Sequence, residues 1–339
     1  MAKVYLTVPA GANVATPEGR YFNEYPCLRL RESYGTDVHG THELTDDPAE
    51  ADVILLASNT IFFPAGLGLL REDLFRKYSA KVIVYDRMFN PSPFVGGLSP
   101  NWVKGNEPFP GAGQGWMYYH PGAAEPHLEQ LAWSTPVPYL WSFKGDHRTH
   151  PVRDSLLRVK DERAFVRDTS ATSQVQLRKH REQTDADKKV FIEQYINLIR
   201  DSKFVVCPRG VGASSMRLFE AMRAGRAPVI ISDDWLPPLF VDWAACSLRV
   251  PESAAGRIGE ILREHESEAE ALGARAREEW ERVYGPANQF HHAVETCLRI
   301  LEARRRAGGL RKYAALPKLL RAPYNRELMR YAKKRVWSK

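Results

Sequence analysis

Several features that would assign a protein at once to a class are missing from this sequence. No apolar run approaches the ~20 residues that span a bilayer, and the best, VILLA at 53–57, has the length of a β-strand. The first fifteen residues, MAKVYLTVPAGANVA, contain too short an apolar stretch for a signal peptide and are interpreted as a first strand. The nucleotide-binding patterns GxxxxGK[ST] and GxGxxG do not fit the Gly-rich loop at 208–215. These observations predict a soluble protein whose site must be found by other means.

Cysteine is scarce and unpaired. The four cysteines are scattered among apolar segments, without the spacing of a metal site: Cys27, Cys207, Cys246 and Cys297. We therefore expect buried free thiols in a reducing compartment, and we predict a cytoplasmic protein.

Acidic residues are almost absent from the end of the chain. Residues 303–339 contain thirteen lysines and arginines and one acid, Glu327. The whole chain carries +7, so a tail of +12 leaves −5 for residues 1–302. The basic pI of about 9.2 is therefore a property of the tail and does not indicate that the globular part binds nucleic acid.

The first half of the chain alternates strand and helix patterns. Apolar runs predict buried strands at 3–8, 51–57 and 81–85, and apolar spacing predicts helices over 24–34 and 65–78. The segment 90–115 is rich in proline and glycine and is interpreted as one long loop.

A second series of the same kind begins near Pro138. It predicts strands at 139–143, 162–166, 204–207, 227–231 and 246–250, with helices from about 152, over 186–201 and over 214–224. Two such series predict an α/β protein of two Rossmann-like, doubly wound domains that face each other across a cleft. The boundaries are an N-terminal domain at 1–135, a C-terminal domain at 136–302 and a basic helical tail at 303–339.

Polar residues crowd at the end of one buried strand in FVVCPRGVGASSMRLFE, residues 204–220. Open α/β sheets bind ligands beyond the carboxyl ends of their strands. Ser214 or Ser215 suits the N-cap of the following helix, whose free N–H groups and dipole favour an anion such as a diphosphate. Arg209 and Arg217 could reach that anion, and Glu220 could accept hydrogen bonds from a ribose. Alternatively, Arg217 and Glu220 form an i,i+3 surface pair, and the glycines only turn the chain.

The longer stretch PRGVGASSMRLFEAMRAGRAPVIISDDWLPPL, followed by DWAACSLRVPE, resembles the signature of the exostosin-like glycosyltransferases, glycosyltransferase family 47. In that family a strand ending in C-P-R-G precedes S-x-R-L-F-[DE]-A, G-x-x-P-V-I-x-S-D-x-W-x-L-P, D-W and a closing V-x-E. YLWSFKG at 139–145 with Arg153, YFNEYP at 21–26 and TDDPAEADVILLAS at 45–58 are weaker matches.

The resemblance implies a GT-B fold, a nucleotide-sugar donor bound mainly by the C-terminal domain, and inversion at the anomeric carbon. Arg209 would hold the donor diphosphate and Glu220 the ribose. The other implied donor-binding residues are Gly210, Ser214, Ser215 and Arg217, with Lys144 and Arg153 contributing from across the cleft.

Asp233 and Asp234 have the pattern of a metal-binding pair. GT-B enzymes instead neutralise the leaving diphosphate with arginine, lysine and a helix dipole, so no metal and no other cofactor is expected. The two acids would then contact sugar hydroxyls, or belong to a structural turn before Trp235.

Inversion also requires a general base for the acceptor hydroxyl. Glu24 lies in the YFNEYP stretch at a predicted strand–helix junction, and Asp86 follows the buried strand at 81–85. His120 follows another predicted strand and has a side chain suited to proton transfer near neutral pH. One of these three residues is expected to be the base.

Aromatic and basic residues interleave in the tail, as in KKRVW at 333–337. This composition favours binding to an anionic membrane surface. Packing onto the N-terminal domain and nucleic-acid binding stay open as alternatives, the last being least favoured.

We predict an inverting transferase that moves a sugar from a nucleotide sugar, with a UDP-sugar as the first choice, to an acceptor glycan. The expected acceptor is a lipid-linked bacterial polysaccharide or lipopolysaccharide at the inner face of the plasma membrane. The alternatives are a GT-B transferase of another, retaining family and a non-enzymatic scaffold with a basic tail.

Overall fold

The computed structural model describes residues 1–10, 16–59, 67–87, 91, 96–121, 128–133, 136–171 and 185–308, and the single residues 317, 325, 326 and 329. The chain divides into two compact units. The first contains residues 1–121, 234–240 and 283–339, and the second contains 122–233 and 241–282. Most of the predicted tail lies outside the described residues.

The first unit is built on a parallel sheet of six strands in the order β2-β1-β3-β4-β5-β6. The strands are β1 Ala2–Thr7, β2 His42–Leu44, β3 Val53–Ala57, β4 Val82–Tyr85, β5 Gly97–Ser99 and β6 Gly113–Gly115. Every residue of β3 and β4 is buried, as the continuous apolar runs predicted. The chain adds β2 on one side of β1 and the remaining strands on the other, so the sheet is doubly wound.

The prediction of one loop over 90–115 was wrong, because β5 and β6 extend the sheet there. Glycine makes this possible. Gly97 has a φ of 149°, and a Cβ at this position would lie 2.2 Å from the carbonyl oxygen of Val84 on the neighbouring strand. A Cβ on Gly113 would lie 2.5 Å from the ring of the buried Trp102. The glycines that suggested a loop are therefore the residues that let two strands pack closely.

Helix α1, Pro17–Gly35, begins well before the predicted start at residue 24. The side chain of Thr16 accepts a hydrogen bond from the Gly19 N–H at 3.2 Å, and Pro17 occupies the first turn. Both are ordinary helix-start signals. Glu24 consequently lies inside the helix and not at its start.

The first unit also contains the helices α2, Asp73–Tyr78, and α9, Gln289–Arg306. Helix α9 packs against α1, β3 and β5, although the sequence assigned residues up to 302 to the other domain. Arg304 explains part of this packing. Its side chain is 5% exposed and donates hydrogen bonds to the carbonyl oxygens of Ser79 and Val82, both at 2.9 Å. One cation counted in the tail is therefore a buried structural residue.

The second unit is built on a parallel sheet of five strands in the order β11-β10-β9-β7-β8. The strands are β7 Tyr139–Gly145, β8 Ala164–Asp168, β9 Ser202–Pro208, β10 Ala227–Ile231 and β11 Leu248–Arg249. The helices are α3 Pro151–Leu157, α4 Asp185–Arg200, α5 Met216–Ala224, α6 Trp243–Cys246, α7 Ile258–Glu264 and α8 Ala269–Tyr284, of which the last two residues belong to the first unit. The chain adds β8 on one side of β7 and β9 on the other, the same topology as in the first unit.

The predicted pair of doubly wound parallel α/β domains, which is what a GT-B fold contains, is thus confirmed. The four cysteines are free and buried, as expected. Burial raises the pKa of the Cys207 thiol to about 12, so it stays protonated and inert at neutral pH. Among the described residues, no helix is both long and apolar enough to cross a membrane.

Candidate functional site

The winding of the second sheet reverses between β7 and β9, which are neighbours in the sheet. Beyond the carboxyl ends of such a pair lies the crevice in which open α/β sheets bind ligands. The two strands end at Gly145 and Pro208. Lys144 belongs to the first strand end, and Arg209 and Gly210 follow the second, so three predicted donor-binding residues lie at this point. The expectation that Lys144 and Arg153 contribute from across the cleft was wrong, because both belong to the same unit as Arg209.

Arg153 ties the two strand ends together. Its Nε donates to the carbonyl oxygen of Arg209 at 2.8 Å, and its Nη2 donates to that of Pro208 at 3.3 Å. A Cβ on Gly210 would lie 3.0 Å from Nη2 of Arg153, so glycine leaves room for the guanidinium. Arg153 therefore shapes the loop at 208–210 and brings its own positive charge to it.

The guanidinium of Arg209 is incompletely hydrogen-bonded among the described residues. Its Nε is buried and makes no hydrogen bond to any of the described residues. Its Nη1 lies 3.6 Å from Oε1 of Glu252, longer than the ~2.8 Å of a charge-assisted hydrogen bond. A buried, incompletely bonded guanidinium at a strand end is the feature an anionic ligand would satisfy.

Arg217 and Glu220, by contrast, have partners inside the unit. Arg217 donates through Nε to the hydroxyl of Tyr195 at 3.1 Å and through Nη2 to the carbonyl oxygen of Lys144. The hydroxyl of Tyr195 in turn donates to Oε2 of Glu220 at 2.7 Å, and Glu220 is 4% exposed. This network joins α4, α5 and the end of β7, so the two residues do not form a surface ion pair. The predicted roles of Arg217 and Glu220 toward a donor stay predictions.

Three further predicted donor-binding residues are Lys144, Ser214 and Ser215. Burial, together with the nearby Arg167 and Arg217, lowers the pKa of Lys144 below its ordinary value. Ser215 is the N-cap of α5, but its side chain makes no capping hydrogen bond. Ser214, beside it, is buried. A helix start without its side-chain acceptor is suited to an anion from outside.

Glu252 connects several of these groups and was not among the predicted residues. Its Oε1 accepts a hydrogen bond from the Asp233 N–H at 3.2 Å, and Asp233 Oδ1 accepts one from the Glu252 N–H at 3.1 Å. Its Oε2 lies 3.9 Å from Nε2 of His150. The signal for it was present in the sequence, as the closing V-x-E of the family signature at 250–252.

The two aspartates have separate environments. Asp233 is exposed and bonded to Glu252, whereas Asp234 belongs to the first unit and accepts a hydrogen bond through its carbonyl oxygen from the Lys104 N–H at 2.8 Å. Within the part of the chain that the structure describes, only Asp146, His147 and Asp168 have three ligand atoms close enough to hold one metal ion. Asp146 already binds Arg148, and Asp168 binds Ser170.

The candidate bases lie in the first unit. Asp86 follows β4 and is 8% exposed, and its N–H donates to the carbonyl oxygen of Leu98 at 2.8 Å. His120 is half-buried, and its ring packs edge-on against Phe22 with 5.2 Å between centroids. Glu24 lines a shallow groove on α1 with Pro17, Arg20 and Tyr21. Because residues two apart on a helix point in different directions, Glu24 and Phe22 lie on different faces.

Further polar residues, which the sequence analysis did not single out, follow the carboxyl ends of the strands in the first sheet. The Arg87 guanidinium lies 4.7 Å from the centroid of Phe22, and its Nε donates to the carbonyl oxygen of Asn59 at 3.2 Å. Tyr118 donates through its hydroxyl to the side chain of Asn101 at 2.6 Å. No motif indicated them, because strands distant along the chain bring them together.

Residues 116–265 match the family model of the Exostosin GT47 domain. Exostosin-1 of Drosophila melanogaster is 29% identical over 156 residues, which cover 43% of this chain and 20% of the fly protein. A probable glycosyltransferase of Arabidopsis thaliana is 32% identical over 143 residues, covering 40% of this chain and 25% of the plant protein. The matches thus span a quarter or less of these relatives.

Among solved structures, MurG of Acinetobacter baumannii is similar with a TM-score of 0.37 and 9% identity, covering 89% of this chain and all of that one. A likeness at that score does not define the fold, which the topology of the two sheets defines instead. The family match contains the strand-end loop and Glu252, and it confirms the resemblance predicted from the sequence. Over residues 116–265 the chain is thus similar to the exostosin GT47 family.

Proposed function

We propose that the protein is a glycosyltransferase that takes a sugar from a nucleotide-sugar donor bound at the strand ends of the second unit. The observation that carries this proposal is Arg209, whose buried Nε makes no hydrogen bond to any residue the structure describes. A donor diphosphate would supply the missing acceptors, and Arg153 and the start of α5 would add positive potential on the same anion. The exostosin GT47 match and the names of the relatives support the same reading.

The proposed reaction inverts the anomeric carbon in one displacement. The acceptor hydroxyl attacks as the nucleoside diphosphate leaves with the bonding electron pair, and the hydroxyl proton passes to a base. Arg209 and Arg153 would stabilise the charge that develops on the leaving diphosphate. No metal ion is required in this proposal, because the charged side chains supply that stabilisation.

For the base we propose His120, with Asp86 as the alternative. His120 is half-buried at the polar edge of the first sheet, whereas Asp86 is 8% exposed and has less access to an acceptor. An imidazole also changes charge near neutral pH, as a general base must. Glu24, which lies inside α1, is the third candidate.

The nucleotide test is a thermal-shift screen against UDP, GDP, CMP, TDP and ADP, repeated with Arg209→Ala and with Arg257→Ala. Arg257 is a matched control because its side chain is 73% exposed in the same unit. We expect stabilisation by one nucleotide, UDP in the first instance, that only Arg209→Ala abolishes. Stabilisation that survives in Arg209→Ala would remove the observation on which the proposal depends.

The acceptor, we further propose, is a lipid-linked bacterial surface glycan reached from the cytoplasmic face of the membrane. The support is the basic, aromatic composition of residues 310–337. Co-sedimentation with vesicles of anionic phospholipid tests this, with neutral vesicles and a chain ending at residue 308 as controls. Equal binding to both vesicle types would contradict it, and binding to RNA instead of vesicles would favour the scaffold alternative.

A further inference from the structure

Glu252 forms an ion pair with Arg209, with 3.6 Å between Oε1 and Nη1. Reciprocal hydrogen bonds with Asp233 hold its carboxylate and its backbone in place. Both side chains are largely buried, Arg209 at 17% and Glu252 at 22% exposed. A negative charge is therefore fixed beside the group proposed to bind the donor diphosphate.

The contact between Glu252 and Arg209 is loose. A charge-assisted hydrogen bond between nitrogen and oxygen measures about 2.7–2.9 Å, well below the observed separation. Arg209 also retains its buried Nε without a hydrogen-bond partner among the described residues. The carboxylate thus partly compensates the arginine and leaves it able to bind a stronger anion.

His150 does not cancel the charge of Glu252. Its Nδ1 accepts a hydrogen bond from the Val152 N–H at 3.3 Å, so in the neutral ring the proton is on Nε2, 3.9 Å from Glu252. Burial and the nearby Arg209 lower the pKa of His150 below its ordinary value, although Glu252 acts in the opposite direction. At neutral pH this ring is therefore uncharged, and the carboxylate of Glu252 keeps its charge beside Arg209.

We propose that Glu252 is a specificity-determining residue that selects the donor by phosphate charge. This inference rests on the proposed function, in which Arg209 holds the diphosphate. A fixed carboxylate repels a bound phosphate more strongly as the phosphate charge increases. A free nucleoside diphosphate has one more ionisation than a nucleotide sugar, with a pKa of about 6 for the terminal phosphate. Glu252 therefore weakens the binding of the nucleoside diphosphate product more than the binding of the donor, and so favours product release.

The test is calorimetric titration of the full chain with UDP, UMP and uridine, or with the same series of the nucleotide that the thermal-shift screen identifies. Glu252→Gln removes the charge and keeps the shape, and Glu252→Asp keeps the charge. Glu260→Gln is the matched control, because Glu260 is an exposed residue of α7 paired with Arg257. Circular dichroism and thermal unfolding verify that each variant is folded.

We expect Glu252→Gln to bind UDP about five-fold more tightly and UMP about two-fold more tightly, with uridine unchanged. The gain should shrink at about 1 M salt, because screening weakens a charge effect. Glu252→Asp and Glu260→Gln should stay close to the unaltered chain. In transfer assays, Glu252→Gln should be inhibited by added UDP at correspondingly lower concentrations.

Unchanged or weaker UDP binding by folded Glu252→Gln would overturn the inference while leaving the proposed function intact. If Glu252→Gln weakened the binding of uridine as well, Glu252 would instead be a residue that binds the ribose. If the unaltered chain binds none of the nucleotides, the proposed function fails, and this inference fails with it. The two failures are thus distinguished by whether the unaltered chain binds a diphosphate.

Discussion

The carboxyl ends of the two sheets have the same topology and different chemistry. In each sheet the second strand lies on one side of the first strand and the third strand lies on the other. In the second unit the strand ends carry Lys144 and Arg209, with Arg153 bound to the carbonyl oxygens. In the first unit they carry amide, aromatic and carboxyl groups, among them Asn59 and Asp86, together with Arg87, whose Nε donates to the carbonyl oxygen of Asn59.

The difference shows that winding determines where a ligand can bind and side chains determine which one. A cluster of guanidinium groups at the end of the second sheet suits an anion. Amides and hydroxyls at the end of the first sheet suit neutral hydroxyl groups, which exchange hydrogen bonds without a change in charge. The comparison supports binding of the donor phosphate by the second unit and of the acceptor by the first. The following predictions test this contrast.

The largest expected effect is on catalysis, from the first unit. His120→Gln should lower kcat about 100- to 10,000-fold, the contribution of a general base, while nucleotide binding stays unchanged. Single-turnover transfer and titration with UDP measure the two quantities separately. Asp73→Asn serves as a control, since the Asp73 side chain is 97% exposed. If Asp86→Asn loses activity and His120→Gln does not, Asp86 is the base.

The next largest effect is on stability, and it distinguishes Arg217 from Arg209. Arg217→Ala should lower the free energy of unfolding by about 3 kcal/mol or more, because it leaves the buried Glu220 and Tyr195 without their cation. Arg209→Ala should change it far less, since its guanidinium is incompletely bonded. Urea unfolding of both variants measures the difference. Equal losses would mean that Arg209 is also structural.

Nucleotide affinity tests the contrast between the sheet ends directly. Arg209→Ala should weaken UDP binding about 100-fold, equivalent to about 2.7 kcal/mol. Arg87→Ala, which removes the arginine at the end of the first sheet, should leave UDP binding within about two-fold. Titration calorimetry at fixed salt measures both. A comparable loss in Arg87→Ala would contradict the assignment of the donor to the second unit.

Acid should act on the first unit before the second. His39, His42, His291 and His292 form a cluster of ring contacts in the first unit, with Glu295 and Asp37 as the nearby acids. Burial lowers the pKa of both His42 and His291, so the folded state resists their protonation. Their stabilising contribution is complete above about pH 6.5 and is lost as pH falls through the lowered folded values. We therefore expect the free energy of unfolding to fall as the pH is lowered from 6.5 to 5.5.

Among the described histidines of the second unit only His150 has a lowered pKa, against two histidines in the first unit, so the second unit should lose less stability in this range. Hydrogen bonds from Arg163 and Lys203 lower the pKa of Glu266 to about 2, so its contribution persists above about pH 4.5 and is lost only as pH falls toward 2. Hydrogen exchange resolved by peptide should show the opening near α9 first. His42→Gln should flatten the pH dependence between 6.5 and 5.5. Simultaneous opening of both units in that range would contradict the prediction.

The smallest expected effect is that of metal removal. The arginines at the end of the second sheet supply the positive charge that a cation would otherwise provide. Transfer rates measured with and without EDTA should therefore agree within about two-fold. Activity restored only by added divalent ions would contradict this and would direct attention to Asp146, His147 and Asp168.

Much of the architecture was predictable because it depends on short stretches of sequence. VILLA and VIVY are continuous apolar runs, and such runs form strands that are buried on both faces. The start of α1 at Pro17 was also predictable in principle from Thr16 and Pro17, and it was missed. Strands β5 and β6 were not predictable, because glycine in isolation indicates a turn and only the neighbouring backbone shows why it is needed.

The two doubly wound series and the exostosin-like signature at 204–235 could be predicted from the amino-acid sequence, since apolar periodicity and motif spacing are local properties. The hydrogen bonds of Arg217 and Glu220 inside the unit, and the buried Nε of Arg209 without a described partner, follow only from the folded chain. The assignment of α9 and Arg304 to the first unit likewise follows only from the folded chain. The reason is physical: burial and hydrogen bonding of a side chain depend on residues far away along the chain, and no local pattern records them.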